Sequence, residues 1–332
     1  MKIAFFSTHR FEREVFEKLN REHYQHQCEF FETTLSESTV ALGRGFEAIC
    51  AFVNDTLSAA VIEDLAKHGL RIIALRSAGF NHVDRDAAVR CGVTVVRVPA
   101  YSPHAVAEHA LCLLLTINRK VHRAHQRVRE LNFSLDGLVG FDIYGKTVGV
   151  IGTGKIGRVF IDAMLGLGAS VLAYDPYPDP ETATKSRVTY TGLNDVISQS
   201  DIISLHCPLT KESFHLIGPS QIASMKRGVY IINTSRGGLI DTQALIDGLK
   251  SGVVAGAGLD VYEEEEGIFF SDLSDTILQD DLLARLLTFP NVVVTAHQAF
   301  LTHEALDNIA TTTLSSVRDF EQAKLQDEVL VR

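Results

Sequence analysis

Residues 147–160, Thr147-Val-Gly-Val-Ile-Gly152-Thr-Gly154-Lys155-Ile156-Gly157-Arg-Val-Phe160, decide the fold. A short apolar run, a glycine turn and the start of a helical pattern follow one another, the order of a dinucleotide-binding strand–turn–helix. Gly152 permits the tight turn. Gly154 lets the backbone approach a pyrophosphate seated on the helix N-terminus, with Lys155 and Ile156 in the first turn, and Gly157 lets the helix pack closely on the strand. The next apolar run, Ser170–Tyr174, ends in Asp175, 23 residues after Gly152. A carboxylate there accepts hydrogen bonds from the adenosine ribose hydroxyls and repels a 2′-phosphate, so NAD is expected rather than NADP.

Outward from this stretch, short apolar runs alternate with amphipathic helical segments, the sign of parallel sheets with helical crossovers. Toward the C-terminus the expected strands are Thr147–Ile151, Ser170–Tyr174, Asp201–Leu205, Val229–Asn233, Val254–Leu259 and Val292–Thr295, six in all and enough for a complete doubly wound domain. Toward the N-terminus four are expected, Lys2–Phe6, Phe46–Val53, Arg71–Leu75 and Val93–Val96, with helices at Arg10–Asn20, Ser58–His68 and Asp84–Cys91. Ser102–Arg129 predicts one long bridging helix that starts at Pro103, where a missing N–H costs nothing. The helical pattern Thr302–Ala323 is too short for a third domain and is expected to pack back on the first. The fold class is thus α/β, with two doubly wound parallel-sheet domains and a cleft between them. The expected division is 1–100 plus 299–332 for a discontinuous substrate domain and 101–298 for the dinucleotide domain.

Composition bounds the function. The 332 residues carry 31 Lys plus Arg against 41 Asp plus Glu, a net charge of -10, and this field repels phosphate backbones and anionic lipid. Nucleic acid and membrane are therefore not expected as partners. Five scattered cysteines (Cys28, Cys50, Cys91, Cys112, Cys207) without a CxxC pair fit free thiols in a reducing compartment. The N-terminus turns polar too soon for a signal peptide, and Ala110–Ile117 is too short to span a bilayer, so a cytoplasmic location is expected. His104, His109, His122 and His125 lack companion carboxylates or thiols that would complete a metal site, and no metal is expected.

In open α/β sheets ligands lie outside the carboxyl ends of the strands. There the sequence places Asn-Thr234-Ser235-Arg236-Gly-Gly, Gly-Leu-Asp260-Val-Tyr-Glu-Glu-Glu265 and Thr-Ala-His297-Gln-Ala-Phe300. A guanidinium can hold a carboxylate and polarise an adjacent carbonyl, and an imidazole beside a carboxylate can move a proton near neutral pH. Each residue alone fits a surface cation, a solvated acidic run or a strand-end histidine. Together beside a dinucleotide turn they fit hydride transfer.

With these motifs and His206-Cys207-Pro208-Leu-Thr after the third strand, the chain resembles the D-isomer-specific 2-hydroxyacid dehydrogenases over nearly its full length. Within that family, Ile268-Phe-Phe-Ser-Asp-Leu-Ser and Gln279-Asp-Asp are similar to the fermentative D-lactate dehydrogenase branch. The resemblance implies that Arg236 binds and polarises a 2-oxo acid, that His297 exchanges the proton, and that Glu265, five residues after Asp260, orients and charges His297. It implies that His206, Cys207, Pro208, Ser213, Thr234, Ser235 and Asp260 join the glycine turn in binding NAD. In the first domain it assigns Ser77, Ala78 and Gly79 to the substrate carboxylate as an anion nest, and Tyr101 and Phe300 to the pocket walls. Pyruvate and D-lactate are the implied substrate pair, with glyoxylate or hydroxypyruvate as the enzymatic alternative and an NAD-sensing corepressor as the non-enzymatic one. A homo-oligomer, dimer or tetramer, is also implied.

Overall fold

The computed structural model describes residues 1–331. They form two compact units, 1–102 with 300–331 and Pro103–Ala299.

The first unit is a five-stranded sheet of β1 (Lys2–Phe5), β2 (Gln27–Phe30), β3 (Ala48–Ala51), β4 (Ile72–Leu75) and β5 (Thr94–Val96). All neighbours are parallel, in the order β2-β1-β3-β4-β5, the flavodoxin-like order. Alternation along the strands builds two cores. Ala4, Phe6, Ile49 and Ile73 pack to one face with Val61, Ile62 and Leu65 of the helix Ala59–Lys67. Ile3, Phe5, Ala48, Cys50 and Ile72 pack to the other with Ile309, Leu314 and Val317 of the C-terminal helix His303–Glu321. Beyond that helix, Leu330 pairs antiparallel with Val96. Local side chains start the helices: Ser58, Asp84 and Thr302 each accept a hydrogen bond from the backbone N–H three residues on.

The strand expectation for this unit was one short. β2 is the missing edge strand, and its sequence, Gln-Cys-Glu-Phe, is half solvated, so it carries no apolar run to read.

The second unit is a seven-stranded parallel sheet. Its strands are β6 (Thr147–Ile151), β7 (Ser170–Tyr174), β8 (Val188–Tyr190), β9 (Ile202–Leu205), β10 (Val229–Asn233), β11 (Val254–Leu259) and β12 (Val292–Val294), in the order β12-β11-β10-β9-β6-β7-β8. This is the doubly wound nucleotide-binding order with a seventh strand at one edge, and the winding reverses between β6 and β9. Here too an edge strand, the three-residue β8, adds to the six that the apolar runs predict.

The single bridging helix expected over Ser102–Arg129 is two helices, Pro103–Arg119 and Val121–Arg129. Lys120 between them adopts a left-handed backbone, φ +53°, and such a residue interrupts the helical ladder. The first helix buries Ala107, Ala110, Leu113, Leu114 and Ile117 against Val148, Val150 and Ile232. The second has no fully buried residue. Among the described residues no helix is long and apolar enough to cross a membrane.

Candidate active site

In the second unit, the carboxyl ends of β6 and β9 meet at the reversal of winding. Gly152 takes φ +94°, and a Cβ there would lie 2.5 Å from the Cys207 nitrogen, so the turn and the chain leaving β9 approach more closely than any side chain permits. A Cβ at Gly157 would fall 2.0 Å from the Gly152 carbonyl oxygen, which fixes the helix Lys155–Gly166 against the turn. Gly154 differs: its Cβ position meets nothing within 4 Å, and it begins the helix without a side-chain cap. Lys155 is exposed beside it and Ile156 is half-buried. A helix N-terminus with open space over its uncapped N–H groups suits a pyrophosphate.

At the end of β7, Asp175 Oδ2 accepts the Thr153 N–H at 2.6 Å and the Thr153 hydroxyl at 3.2 Å, while Oδ1 accepts the Tyr177 N–H at 2.8 Å. These bonds set the carboxylate beside the glycine turn. On the β9 side, the His206 ring lies tilted against Phe160 with centroids 5.0 Å apart, its Nε2 lies 2.9 Å from the Ser204 hydroxyl, and burial pushes its pKa down to about 3, so it is a neutral wall. Burial pushes the Cys207 thiol up to about 11, which leaves it protonated and unsuited to nucleophilic work. The Cys207 carbonyl accepts the Ser235 hydroxyl at 2.6 Å, and Ser213 closes the turn after Pro208 by donating to its carbonyl at 2.8 Å. The Thr234 hydroxyl is buried without a hydrogen-bond partner among the described residues. An orphaned buried hydroxyl, the open Gly154 face and the Asp175 carboxylate are a donor and acceptor set that fits a dinucleotide.

β10 leads into Arg236. Asn233 pins the loop, donating from Nδ2 to the Arg236 carbonyl at 2.9 Å and accepting the Ser235 N–H at 3.0 Å. Gly237 presses against the loop after β11, since a Cβ there would lie 2.0 Å from the Tyr262 carbonyl carbon. The half-buried Arg236 donates to the Ser235 carbonyl at 2.7 Å, and no carboxylate among the described residues pairs with it.

The four adjacent glutamates divide by alternation. Glu264 and Glu266 are exposed, while Glu263 and Glu265 turn inward. Glu263 is held by His215 Nε2 at 2.5 Å and the Thr242 hydroxyl at 3.0 Å. Glu265 Oε1 lies 2.9 Å from His297 Nδ1. Phe270 lies 5.9 Å, centroid to centroid, from the same imidazole. The His297 N–H donates to the Asp260 carbonyl at 2.7 Å.

Asp260 is fully enclosed and braces that loop. Its carboxylate accepts the Thr295 hydroxyl at 2.6 Å and the N–H groups of Gln298 and Ala299 at 2.8 and 2.9 Å, with His109 Nε2 at 3.3 Å. Burial alone pushes this carboxyl up, but the hydrogen bonds from His109, Thr295 and Ala299 outweigh it and hold Asp260 below the usual carboxylate range. His109, Asn233, Glu263 and Phe270 were not assigned to the site from sequence. Only the fold brings them to it.

In the first unit, the loop after β4 is shaped by its own carbonyls. The Ser77 hydroxyl donates to the Gly79 carbonyl at 2.7 Å, and Arg97 donates to the Ala78 carbonyl at 2.9 Å. Just before it, Arg76 is buried and pairs with buried Glu12 at 2.9 Å while donating to the carbonyls of Phe6 and Cys50. Tyr101 and Phe300 meet edge to face at 6.3 Å, and Phe300 also approaches Phe11 and Phe52.

The family model described as the D-isomer specific 2-hydroxyacid dehydrogenase NAD binding domain matches residues 111–299. The chain belongs to this family of NAD-dependent oxidoreductases. It is 50% identical to the D-lactate dehydrogenase of Escherichia coli over 331 residues, all of each chain, and its fold superposes on the apo-structure of that enzyme with a TM-score of 0.91 over all of both chains. The structure titled as identifying the pyruvate reductase of Chlamydomonas reinhardtii matches at 42% identity and a TM-score of 0.93 over 98% of each chain. D-Lactate dehydrogenase from Aquifex aeolicus, complexed with NAD and lactic acid, matches at 33% identity and a TM-score of 0.87 over 99% of each.

Proposed function

We propose that the protein reduces pyruvate to D-lactate reversibly, with the proton passing through His297. The observation that carries this is the 2.9 Å contact between Glu265 and His297 Nδ1. It leaves Nε2 as the nitrogen available to a substrate oxygen, with the unpaired guanidinium of Arg236 on the neighbouring loop. When bound, NAD supplies the hydride acceptor and NADH the donor.

In reduction a proton must reach the carbonyl oxygen as hydride reaches carbon. His297 is the proposed acid, and Glu265 is proposed to orient its imidazole through the Nδ1 contact. Arg236 is proposed to grip the 2-oxo acid through its planar fork and to draw charge onto the carbonyl oxygen. The substrate carboxylate is assigned to the backbone N–H groups of Ala78 and Gly79, whose loop is braced by Ser77 and Arg97. Tyr101 and Phe300 are proposed as apolar walls for a small substrate. Gly152, Gly154, Lys155, Ile156, Gly157, Asp175, His206, Cys207, Pro208, Ser213, Thr234 and Ser235 are proposed to line the NAD site, with Asp260 acting through the His297 loop.

Five free thiols support a reducing, cytoplasmic setting, and a fermentative role is proposed from the pyruvate and D-lactate pair. A homo-oligomer is proposed from residues 131–139, where Leu131, Phe133, Leu135 and Val139 are 69–82% exposed. The helix before them carries Arg123, Arg127 and Arg129 on a chain whose net charge is -10, which suits a second copy of this acidic chain.

Steady-state turnover of NADH with a panel of 2-oxo acids tests the reading. Pyruvate is expected to give the highest kcat/KM. A clear preference for glyoxylate or hydroxypyruvate would move the assignment within the family, and NADH binding without turnover would favour a sensing protein.

A further inference from the structure

We propose that Asp179 is a second determinant of cofactor choice, because it holds the Arg158 guanidinium in an ion pair and so withholds it from a 2′-phosphate. The proposal rests on reading Gly152–Asp175 as the NAD site.

Arg158 is the fourth residue of the helix Lys155–Gly166, and its N–H donates to the Gly154 carbonyl at 3.0 Å. It therefore rises from the first turn beside the proposed pyrophosphate seat. Its Nη1 lies 2.8 Å from Asp179 Oδ1. Asp179 stands four residues after Asp175 on the same loop, and that loop is pinned at both ends. Asp175 accepts the Tyr177 N–H, while the Asp179 N–H donates to the Tyr190 hydroxyl at 3.2 Å. Asp179 Oδ2 accepts both the N–H and the hydroxyl of Thr182, at 2.8 and 2.7 Å. Those Thr182 bonds, followed by the Arg158 charge, hold the Asp179 carboxyl below the usual carboxylate range.

A domain of this kind accepts a 2′-phosphate through an arginine near the end of its second strand, because a guanidinium fork matches phosphate geometry. Arg158 is the arginine this chain carries on the first turn of the dinucleotide helix. The neighbouring Lys185 is engaged with Asp162. Two acidic residues then act differently on the same ligand. Asp175 repels the phosphate directly, and Asp179 removes the cation that would receive it. Neutralising Asp175 alone leaves Arg158 committed to its partner.

The test titrates NADH and NADPH onto the purified protein by fluorescence, with thermal midpoints measured in parallel. Asp175→Ala is expected to weaken NADH while NADPH stays weak. Adding Asp179→Asn, which keeps a residue able to cap Thr182, is expected to tighten NADPH about tenfold further. Adding Arg158→Gln to that pair should erase the gain and leave NADH affinity as in the double variant. Asp179→Ser replaces Asp179→Asn if the latter lowers the thermal midpoint. Equal NADPH affinity with and without Asp179, or a gain that survives Arg158→Gln, overturns the proposal. If Asp175→Ala leaves NADH affinity unaltered, the ribose site lies elsewhere and the proposal falls with that reading.

Discussion

His297 Nδ1 lies 2.9 Å from Glu265 Oε1 across 32 residues of sequence, and the His297 backbone holding it there is left-handed, φ +52°. For a non-glycine residue this conformation costs on the order of 1–3 kcal/mol, and it persists because its surroundings over-determine it. Those surroundings are the Asp260 carbonyl and carboxylate, which take the N–H groups of His297, Gln298 and Ala299.

Steady-state kinetics check the Glu265 contact. Glu265→Gln is expected to lower kcat for pyruvate reduction with NADH affinity nearly intact, since the imidazole loses the carboxylate that holds its Nδ1 at 2.9 Å. His297→Gln should lower kcat by about 10²–10⁴-fold with NADH affinity nearly intact. A Glu265→Gln protein with the kcat of the parent would remove Glu265 from the mechanism.

Two glycines of the fingerprint separate structure from binding. Gly157→Ala forces a methyl against the Gly152 carbonyl and should destabilise the fold by about 1–3 kcal/mol as well as weaken NADH. Gly154→Ala meets open space, so its unfolding midpoint should stay unchanged while NADH binding weakens. Parallel thermal melts and NADH titrations distinguish the two; a Gly154→Ala protein with full NADH affinity would refute the close backbone approach.

The buried Arg76–Glu12 pair should be a stability element of the first unit. Glu12→Gln leaves the enclosed guanidinium without its counter-charge, and loss of one member of a buried pair costs about 3–5 kcal/mol. Chemical denaturation of the two proteins measures this, and a loss below about 1 kcal/mol would show that the pair is dispensable.

His26 predicts an acid-side loss of stability. Its imidazole lies near the N-terminal ammonium at 3.4 Å and near the Leu314 carbonyl at 3.4 Å. Burial, then the N-terminal charge, lowers its pKa below 6.5. The folded form thus binds this proton less readily than the unfolded chain. Its contribution is fully present above pH 6.5 and declines as pH falls below that value. His26→Gln should flatten that part of the stability–pH curve; an unchanged slope between pH 6.5 and 5 would exclude His26 as its source.

Oligomeric state tests the exposed 131–139 segment. Light scattering behind size exclusion should give a multiple of the 36.5 kDa chain mass, and Phe133→Asp with Leu135→Asp should shift it toward the monomer. A parent protein that elutes as a monomer at micromolar concentration would dispose of the idea.

The sequence by itself determined whatever repeats at short range. The apolar runs of β6, β7, β10 and β11 appear at their observed bounds, and the glycine spacing announced the turn, because strand burial and backbone strain are properties of a few consecutive residues. Edges were illegible for the same reason: β2 and β8 are half solvated and need no continuous apolar run. Lys120 gave no local warning of its left-handed break. Glu263–Glu266 are four identical residues in a turn: the family resemblance singled out Glu265 for His297, while only the tertiary structure gave His215 to Glu263. It likewise turned Asp260 inward and set His109 and Thr295 on it, residues 151 and 35 positions away in the chain. Hydrogen bonds and ion pairs require atoms within about 3 Å, a proximity that sheet order and crossovers create and that no local pattern encodes.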